Sequence, residues 1–462
     1  MSSDAPINPG RALFAPHALL PQGWAHNVLL VWNGEGLLTQ VRRDTLPPLE
    51  VETAKGPLLP GMPNLHSQAH RHALAGLTEL RDGGRERIQR LAQAVSPVQL
   101  EDLATHLHIE MLKAGYTSVC EFQSLHLDPS HQPYANPAEM SLRVLSAARL
   151  AGIGITLLPV LDCTDGFGVQ PTTLEPQRGV GRVDALLGIA QRLRGHGARI
   201  GVAPHSLRRV PPAALHELLD GLKSFDATAP IHLRIAEREQ ELHDCIAWSG
   251  QRPVQWLLAH ADIDARWCLV HATHMDAVEA RGVAVSGATV GLCPSSEALR
   301  GDGSFDAPGY LGAGGGWGIG SDSQASLAVA AELRLLETHQ RVAQRHAPVL
   351  TNATHENAAH EHLAEALWLG AVAGGARASG RPIAGLAVGQ MADFVMLSRS
   401  AALAELSPPQ MLASHVFASQ GRHAISDVWV AGVRRIQGGS HEFEDAACEA
   451  FVAARTQLLA RI

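Results

Sequence analysis

From about Leu58 to Gly375 the chain alternates short apolar runs with longer amphipathic segments, and no other feature constrains the fold as tightly. Strand-like runs are expected at Ser118–Phe122, Gly154–Val160, Arg199–Ala203, Ile231–Ile235, Cys268–His271, Thr289–Cys293 and Gly318–Gly320. Between them, apolar residues recur at helical spacing over Pro97–Ala114, Pro137–Ala151, Pro212–Leu222 and Leu327–Ala343. Such alternation over roughly 300 residues favours a parallel sheet, and its length suits a (β/α)8 TIM barrel. A doubly wound open sheet is the alternative, but no Gly-x-Gly-x-x-Gly turn follows an early strand.

Strand-like runs also occur outside this region, at Asn27–Trp32, Leu37–Val41, Met391–Leu397 and Ile425–Gly432. Because both chain ends contribute them, the expected α/β architecture is a barrel with a small β-sandwich domain built from both termini. The predicted division is 1–56 for its N-terminal part, 57–375 for the barrel, 376–440 for its C-terminal part, and 441–462 for a terminal helix. The Ala/Gly-rich stretch Leu311–Gly318 reads as a loop.

With 46% hydrophobic and 18% charged residues, the 462-residue chain has the balance of a globular protein. A net charge of -8 gives no electrostatic footprint for nucleic acid or an anionic membrane. No apolar run reaches membrane-spanning length, and the first residues lack signal-peptide features. Six scattered cysteines without Cys-x-x-Cys spacing read as reduced thiols of a cytoplasmic protein.

Polar residues gather just after the strand-like runs: His66 and Gln68, Glu121 and Gln123, His205 and Arg208, His232 with Arg234 and Glu237, His271 and His274, and Asp322. In a (β/α)8 barrel these positions converge on the face where active sites are built. Residues two apart in a strand point the same way, so His-x-His there would offer two imidazoles to one ion. Here Gln68 stands second, and an amide is a poor ligand for zinc. Taken alone, His66 also reads as a hydrogen-bonded core residue and Asp322 as a helix N-cap.

Leu59-Pro60-Gly61-Met62 with His66, His232-Leu233-Arg234-Ile235-Ala236-Glu237, Val270-His271-Ala272-Thr273-His274 and Ile319-Gly320-Ser321-Asp322-Ser323 together resemble the amidohydrolase superfamily. Within it the chain looks most like the formimidoylglutamate deiminase group, hydrolases of histidine degradation that release ammonia from N-formimino-L-glutamate. The resemblance implies one zinc held by His-x-His after the first strand, a histidine after the fifth and an aspartate after the eighth. It implies a proton-shuttling glutamate, a charge-stabilising histidine after the sixth strand, and two arginines on the substrate's carboxylates. A homodimer is a further expectation of this resemblance.

His66, Glu237, His271 and Asp322 match that pattern, and Arg85 and Arg208 match the two arginines. Gln68 and Arg234 occupy the other two metal-ligand positions, while Arg71, Gln123, Ser124 and Gln324 also depart from the usual pocket. A guanidinium about 4 Å from a dication, at an effective dielectric near 20, is repelled by on the order of 8 kcal/mol. One reading therefore has Arg234 substituting electrostatically for zinc, paired with Asp322 and Glu237. Three functions stay open. The first is a deiminase-like hydrolase whose zinc-dependent activity is impaired or lost. The second is a non-catalytic paralogue binding a small carboxylated ligand or a partner, and the third is an altered C–N hydrolase with a reorganised site. Joint Gln68→His and Arg234→His replacement is expected to raise zinc occupancy.

Overall fold

The computed structural model describes residues 8–77, 90–91, 94–169, 179–350, 362–398, 405–418 and 424–461. Eight parallel strand positions form the barrel: Met62–Ser67, Tyr116–Gln123, Gly154–Leu161, a fourth split into Arg199–Ile200 and Ala203–Pro204, then Ile231–Ile235, Trp267–His271, Thr289–Leu292 and Gly316–Ile319. Hydrogen bonding runs fifth, sixth, seventh, eighth, first, second, third, fourth. Val202 bridges Ile231 in parallel, so fourth and fifth strands meet and close the ring.

These strands are buried along almost their whole length, as expected of strands covered by helices outside and by packed side chains within. Leu65, Cys120, Phe122, Leu158, Val160, Cys268, Val270 and Cys293 fill the interior. His232 also points inward, but Nε2 bonds the Ala378 carbonyl at 2.8 Å. It sits two residues before Arg234, below the mouth, and belongs to the packing rather than the site.

The helices follow their sequence signals closely. Pro97–Lys113 starts at a capping box in which Ser96 and Gln99 satisfy each other's backbone amides. Glu139–Ala151 stops at Gly152, whose φ of 74° is the left-handed conformation that ends helices. The C-terminal helix Glu444–Leu459 lies along Pro97–Lys113, joined by a Lys113–Glu444 ion pair and by Gln99 Nε2 donating to Gln457 Oε1 at 3.1 Å.

Both chain ends build one eight-stranded sheet that includes Ala12–Leu20, Gly23–Trp32, Phe394–Leu397 and Ile425–Val430. Leu58–Pro60 pairs with this sheet, so the step from Pro60 to Met62 carries the chain into the barrel. The Leu311–Gly318 stretch is not a simple loop. Its start belongs to the helix Ala307–Gly312 and its end to the eighth strand, because the Tyr310 hydroxyl donates to the Gly316 carbonyl at 3.1 Å and folds the turn back. Among the described residues no helix is long and apolar enough to cross a membrane.

The helix Leu363–Ser379 approaches the eighth strand unusually closely. A Cβ on Gly374 would lie 1.9 Å from the backbone oxygen of Trp317. Gly374→Ala should therefore lower stability by about 3 kcal/mol, since overpacked cores relax only by moving backbone. A urea midpoint matching the parent's would show that helix and strand part freely.

Candidate functional site at the barrel mouth

The C-terminal ends of the first and eighth strands are tied together by the His66 carbonyl, which accepts from the amides of Ser321 (3.0 Å) and Asp322 (2.9 Å). That pairing brings His66 Nε2 to 3.5 Å from Asp322 Oδ1. Asp322 has φ of 33°, and His271 and Ala272 have 70° and 50°. Non-glycine residues in this region are strained, and such strain concentrates where side chains are aimed for function. The helix after the eighth strand starts at Val329 with Ala328 as its cap, so Asp322 is not an N-cap.

Asp322, His66 and His271 are fully buried. Burial drives the His66 pKa down to about 4, despite the carboxylate beside it, so the ring is neutral. Neither of its nitrogens makes a hydrogen bond among the described residues. Burial alone would also lower His271, but Glu237 and a hydrogen bond to Glu297 outweigh it and raise the pKa. His271 Nδ1 lies 3.0 Å from Glu297 Oε1. Its Nε2 points across the mouth, 3.9 Å from Glu237 Oε1 and 3.8 Å from Asp322 Oδ2. The four residues His66, Glu237, His271 and Asp322 thus converge as expected from their strand-end positions.

The cations are arranged differently from the sequence reading. Arg234 forms no ion pair with Asp322 or Glu237; Asp322 is held instead by Arg71 Nη1 at 2.9 Å and by Arg300 Nη1. Arg300 also places Nη2 3.0 Å from Glu237 Oε1 and Nε 2.5 Å from Asp302 Oδ2. Geometry explains the correction. Arg234 leaves the fifth strand on the side of the fourth, lies with its guanidinium carbon 5.2 Å from the Phe122 ring centre, and donates through Nη2 to His205 Nε2. Arg300 instead ends the helix Pro294–Arg300 and reaches over the mouth from the seventh strand. Gln68, the other substituted position, donates through Nε2 to Asp322 Oδ1 at 3.2 Å.

Electrostatics follow from this packing. Burial opposes the charged form of Asp322, yet Arg300, Arg71 and His66 hold its pKa well below the usual range. Burial would raise Glu237 as well, but His271, Arg234 and Arg300 prevail and hold it at about 2. Both carboxylates are thus fixed as anions. Burial and the adjacent Arg234 push His205 well below its ordinary value, leaving a neutral acceptor for that guanidinium.

Arg208 is exposed and has no carboxylate partner among the described residues, whereas its neighbour Arg209 is buried against Asp162 at 2.6 Å. A free guanidinium at the rim suits a carboxylate ligand. Arg85 lies outside the described residues. His72 packs away from Asp322, its Nε2 2.9 Å from His106 Nδ1 and its ring tilted against Phe451 with centroids 4.8 Å apart.

Four-coordinate zinc needs nitrogen, sulfur or carboxylate donors with room for the ion. The unpartnered His66 Nε2 and His271 Nε2 face Asp322, but Gln68 and Arg234 offer only weak or positive groups, and two guanidiniums already occupy Asp322. This set does not fit a zinc ion. Among the described residues His271, Cys293 and Glu297 also bring potential ligand atoms within 4.8 Å of one another. There Glu297 Oε1 is already shared between His271 and the Cys293 amide, and burial pushes the Cys293 thiol well above its ordinary pKa. A thiolate ligand is disfavoured at that spot.

Sequence reading missed Arg300, Glu297 and Glu241, whose carboxylate accepts the amides of Ala236 and Glu237. Pro294-Ser295-Ser296-Glu297 directly follows the seventh strand and was a usable signal for Glu297. Nothing in the spacing marks Arg300, because it returns to the mouth only through the turn of its helix.

A closed parallel barrel whose strand ends carry His66, Glu237, His271 and Asp322 defines a class. The chain belongs to the amidohydrolase family, whose signature matches residues 58–435. It is 43% identical over 460 residues to the formimidoylglutamate deiminase of Pseudomonas aeruginosa, covering 97% of this chain and 99% of that one. A crystal structure of an amidohydrolase from Brucella melitensis superimposes with a TM-score of 0.90 at 41% identity, over 97% of this chain and 100% of that one. A zinc-bound adenosine deaminase from Xanthomonas campestris shares the fold at 22% identity and a TM-score of 0.77, over 97% and 98% of the two chains.

Proposed function

We propose that this chain is a formimidoylglutamate deiminase-like amidohydrolase whose zinc-dependent activity is impaired or lost, and which retains the binding of a small carboxylated ligand in the cytoplasm. The observation that carries this reading is the double guanidinium grip of Arg71 and Arg300 on Asp322, the residue the family uses as a metal ligand.

Two further features support it. A proton shuttle must be free to take up and hand on its proton, and Glu237 Oε1 is instead engaged by Arg300 Nη2 at 3.0 Å. Without a metal-activated water the site also lacks a source of hydroxide at neutral pH. Arg208 supports the ligand-binding half, because an exposed guanidinium without a partner is available to a carboxylate.

Two measurements test the reading. Titration calorimetry should detect glutarate, and Arg208→Met should weaken it by about tenfold or more, as expected when one partner of a charged pair is removed. N-formimino-L-glutamate incubated with the zinc-supplemented protein should release ammonia only at the background rate. Release that scales with protein concentration and stops on chelation would defeat the loss of activity. Absence of glutarate binding would defeat the ligand-binding half.

A further inference from the structure

Arg234 is the cation that the site leaves over. Arg71, Arg234 and Arg300 face two carboxylates, Glu237 and Asp322, and Arg300 and Arg71 take both. Asp302, the third acid in contact with Arg300, is shared with Arg238 at 3.1 Å, and Asp162 is engaged by Arg209. Arg234 has no carboxylate partner among the described residues. Its Nε is buried without a hydrogen bond, and its Nη2 is spent on the His205 imidazole. Phe122 lies beneath the guanidinium, its ring centre 5.2 Å from the central carbon. His205 is fixed in turn, with Nδ1 3.2 Å from the Ser206 hydroxyl.

Such an arrangement selects against one feature of the relative's substrate. The formimino group of N-formimino-L-glutamate is an amidine and is protonated near neutral pH. In this mouth it would meet the Arg234 guanidinium, while both nearby carboxylates are already in contact with Arg71 and Arg300. Like charges brought together in a partly buried site cost several kcal/mol. An oxygen acceptor at the same place would instead supply the missing partner of Arg234.

Resting on the carboxylate-binding reading above, we propose that Arg234 forms a subsite for an oxygen acceptor, so that the ligand is a small dicarboxylate bearing an acyl or third carboxylate group in place of a cationic imino group. Recognition then uses Arg208 at the rim and Arg234 at the fifth-strand end. Arg71 and Arg300 stay bound to Asp322 and Glu237 and hold the floor of the mouth in place.

The full chain, stripped of metal, is titrated calorimetrically with glutarate, N-formyl-L-glutamate and N-formimino-L-glutamate. The two amino-acid derivatives differ at the reacting end by an oxygen for a protonated nitrogen. N-formyl-L-glutamate should bind at least about tenfold more tightly than N-formimino-L-glutamate. In Arg234→Gln that preference should shrink to within about threefold, and Arg234→Lys, which keeps the charge, should retain most of it. Equal or tighter binding of the formimino compound, with glutarate still bound, overturns the subsite and leaves the carboxylate reading standing. A preference that survives Arg234→Gln also overturns it. Failure of all three compounds to bind overturns both.

Discussion

Protein produced with excess zinc is expected to contain well under about 0.1 zinc per chain, and the Gln68→His/Arg234→His double variant, against what those two positions alone imply, is expected to remain nearly as empty. The two replacements supply the imidazoles that the family pattern lacks, yet they leave Arg71 and Arg300 on Asp322. Each guanidinium at about 4 Å from a dication opposes it by on the order of 8 kcal/mol at an effective dielectric near 20, an upper figure because the side chains can swing out. Occupancy should rise toward one only when Arg71→Gln and Arg300→Met are added to the double variant. Elemental analysis after gel filtration decides this. Stoichiometric zinc in the parent would remove the basis for a metal-free site. Full loading of the double variant would show that Arg71 and Arg300 yield to the ion.

Acidification from pH 7 to pH 5 should destabilise the fold steeply. Burial holds His66, His108, His126, His232 and His415 at about 4 and His72 at about 3, while His205 lies well below its ordinary value. Each stays neutral in the folded protein but takes up a proton once unfolded, below the ordinary value of 6.5. A depressed histidine therefore contributes stability that is present above 6.5 and lost as pH falls toward its folded value. Buried carboxylates act in the opposite direction: Glu121, Glu241 and Glu332 are raised by burial to about 7 and Asp393 to about 6. Near pH 5 roughly six protons are bound by the imidazoles on unfolding and roughly three released by the carboxylates, a net of roughly three, or a slope of about 4 kcal/mol per pH unit. Urea midpoints at pH 7.5, 6 and 5 measure it. A midpoint that holds or climbs between pH 6 and pH 5 would mean the imidazoles do not dominate.

The barrel was legible because its strands and helices obey local rules. Ile231–Ile235 coincides with its predicted bounds, and Pro97–Lys113 differs by one residue. The first strand of the terminal sheet, Ala12–Leu20, was not read, since its only mark is a hairpin partner, Gly23–Trp32, paired in register from Ala12↔Val31 to Leu20↔Gly23. His66, Glu237, His271 and Asp322 were found through their positions just past strands, which the barrel geometry turns into neighbours. The charge pattern was only half legible. Gln68 and Arg234 could be read as missing ligands, but the direction in which Arg234 leaves its strand could not.

Periodicity, strand-end chemistry and two altered ligand positions are properties of the chain order, because they depend on side chains a few residues apart. Ion pairing depends on distance through space. Asp322 and Arg300 are close only because a helix after the seventh strand turns back over the mouth, and Asp322 and Arg71 because the first and eighth strands are neighbours. Chain order alone specifies a barrel of this family with Gln68 and Arg234 at two of its metal-ligand positions. Proximity in the folded barrel sets which guanidiniums pair with Asp322 and Glu237, and it leaves Arg234 as the one among Arg71, Arg234 and Arg300 without an ion-paired acid among the described residues.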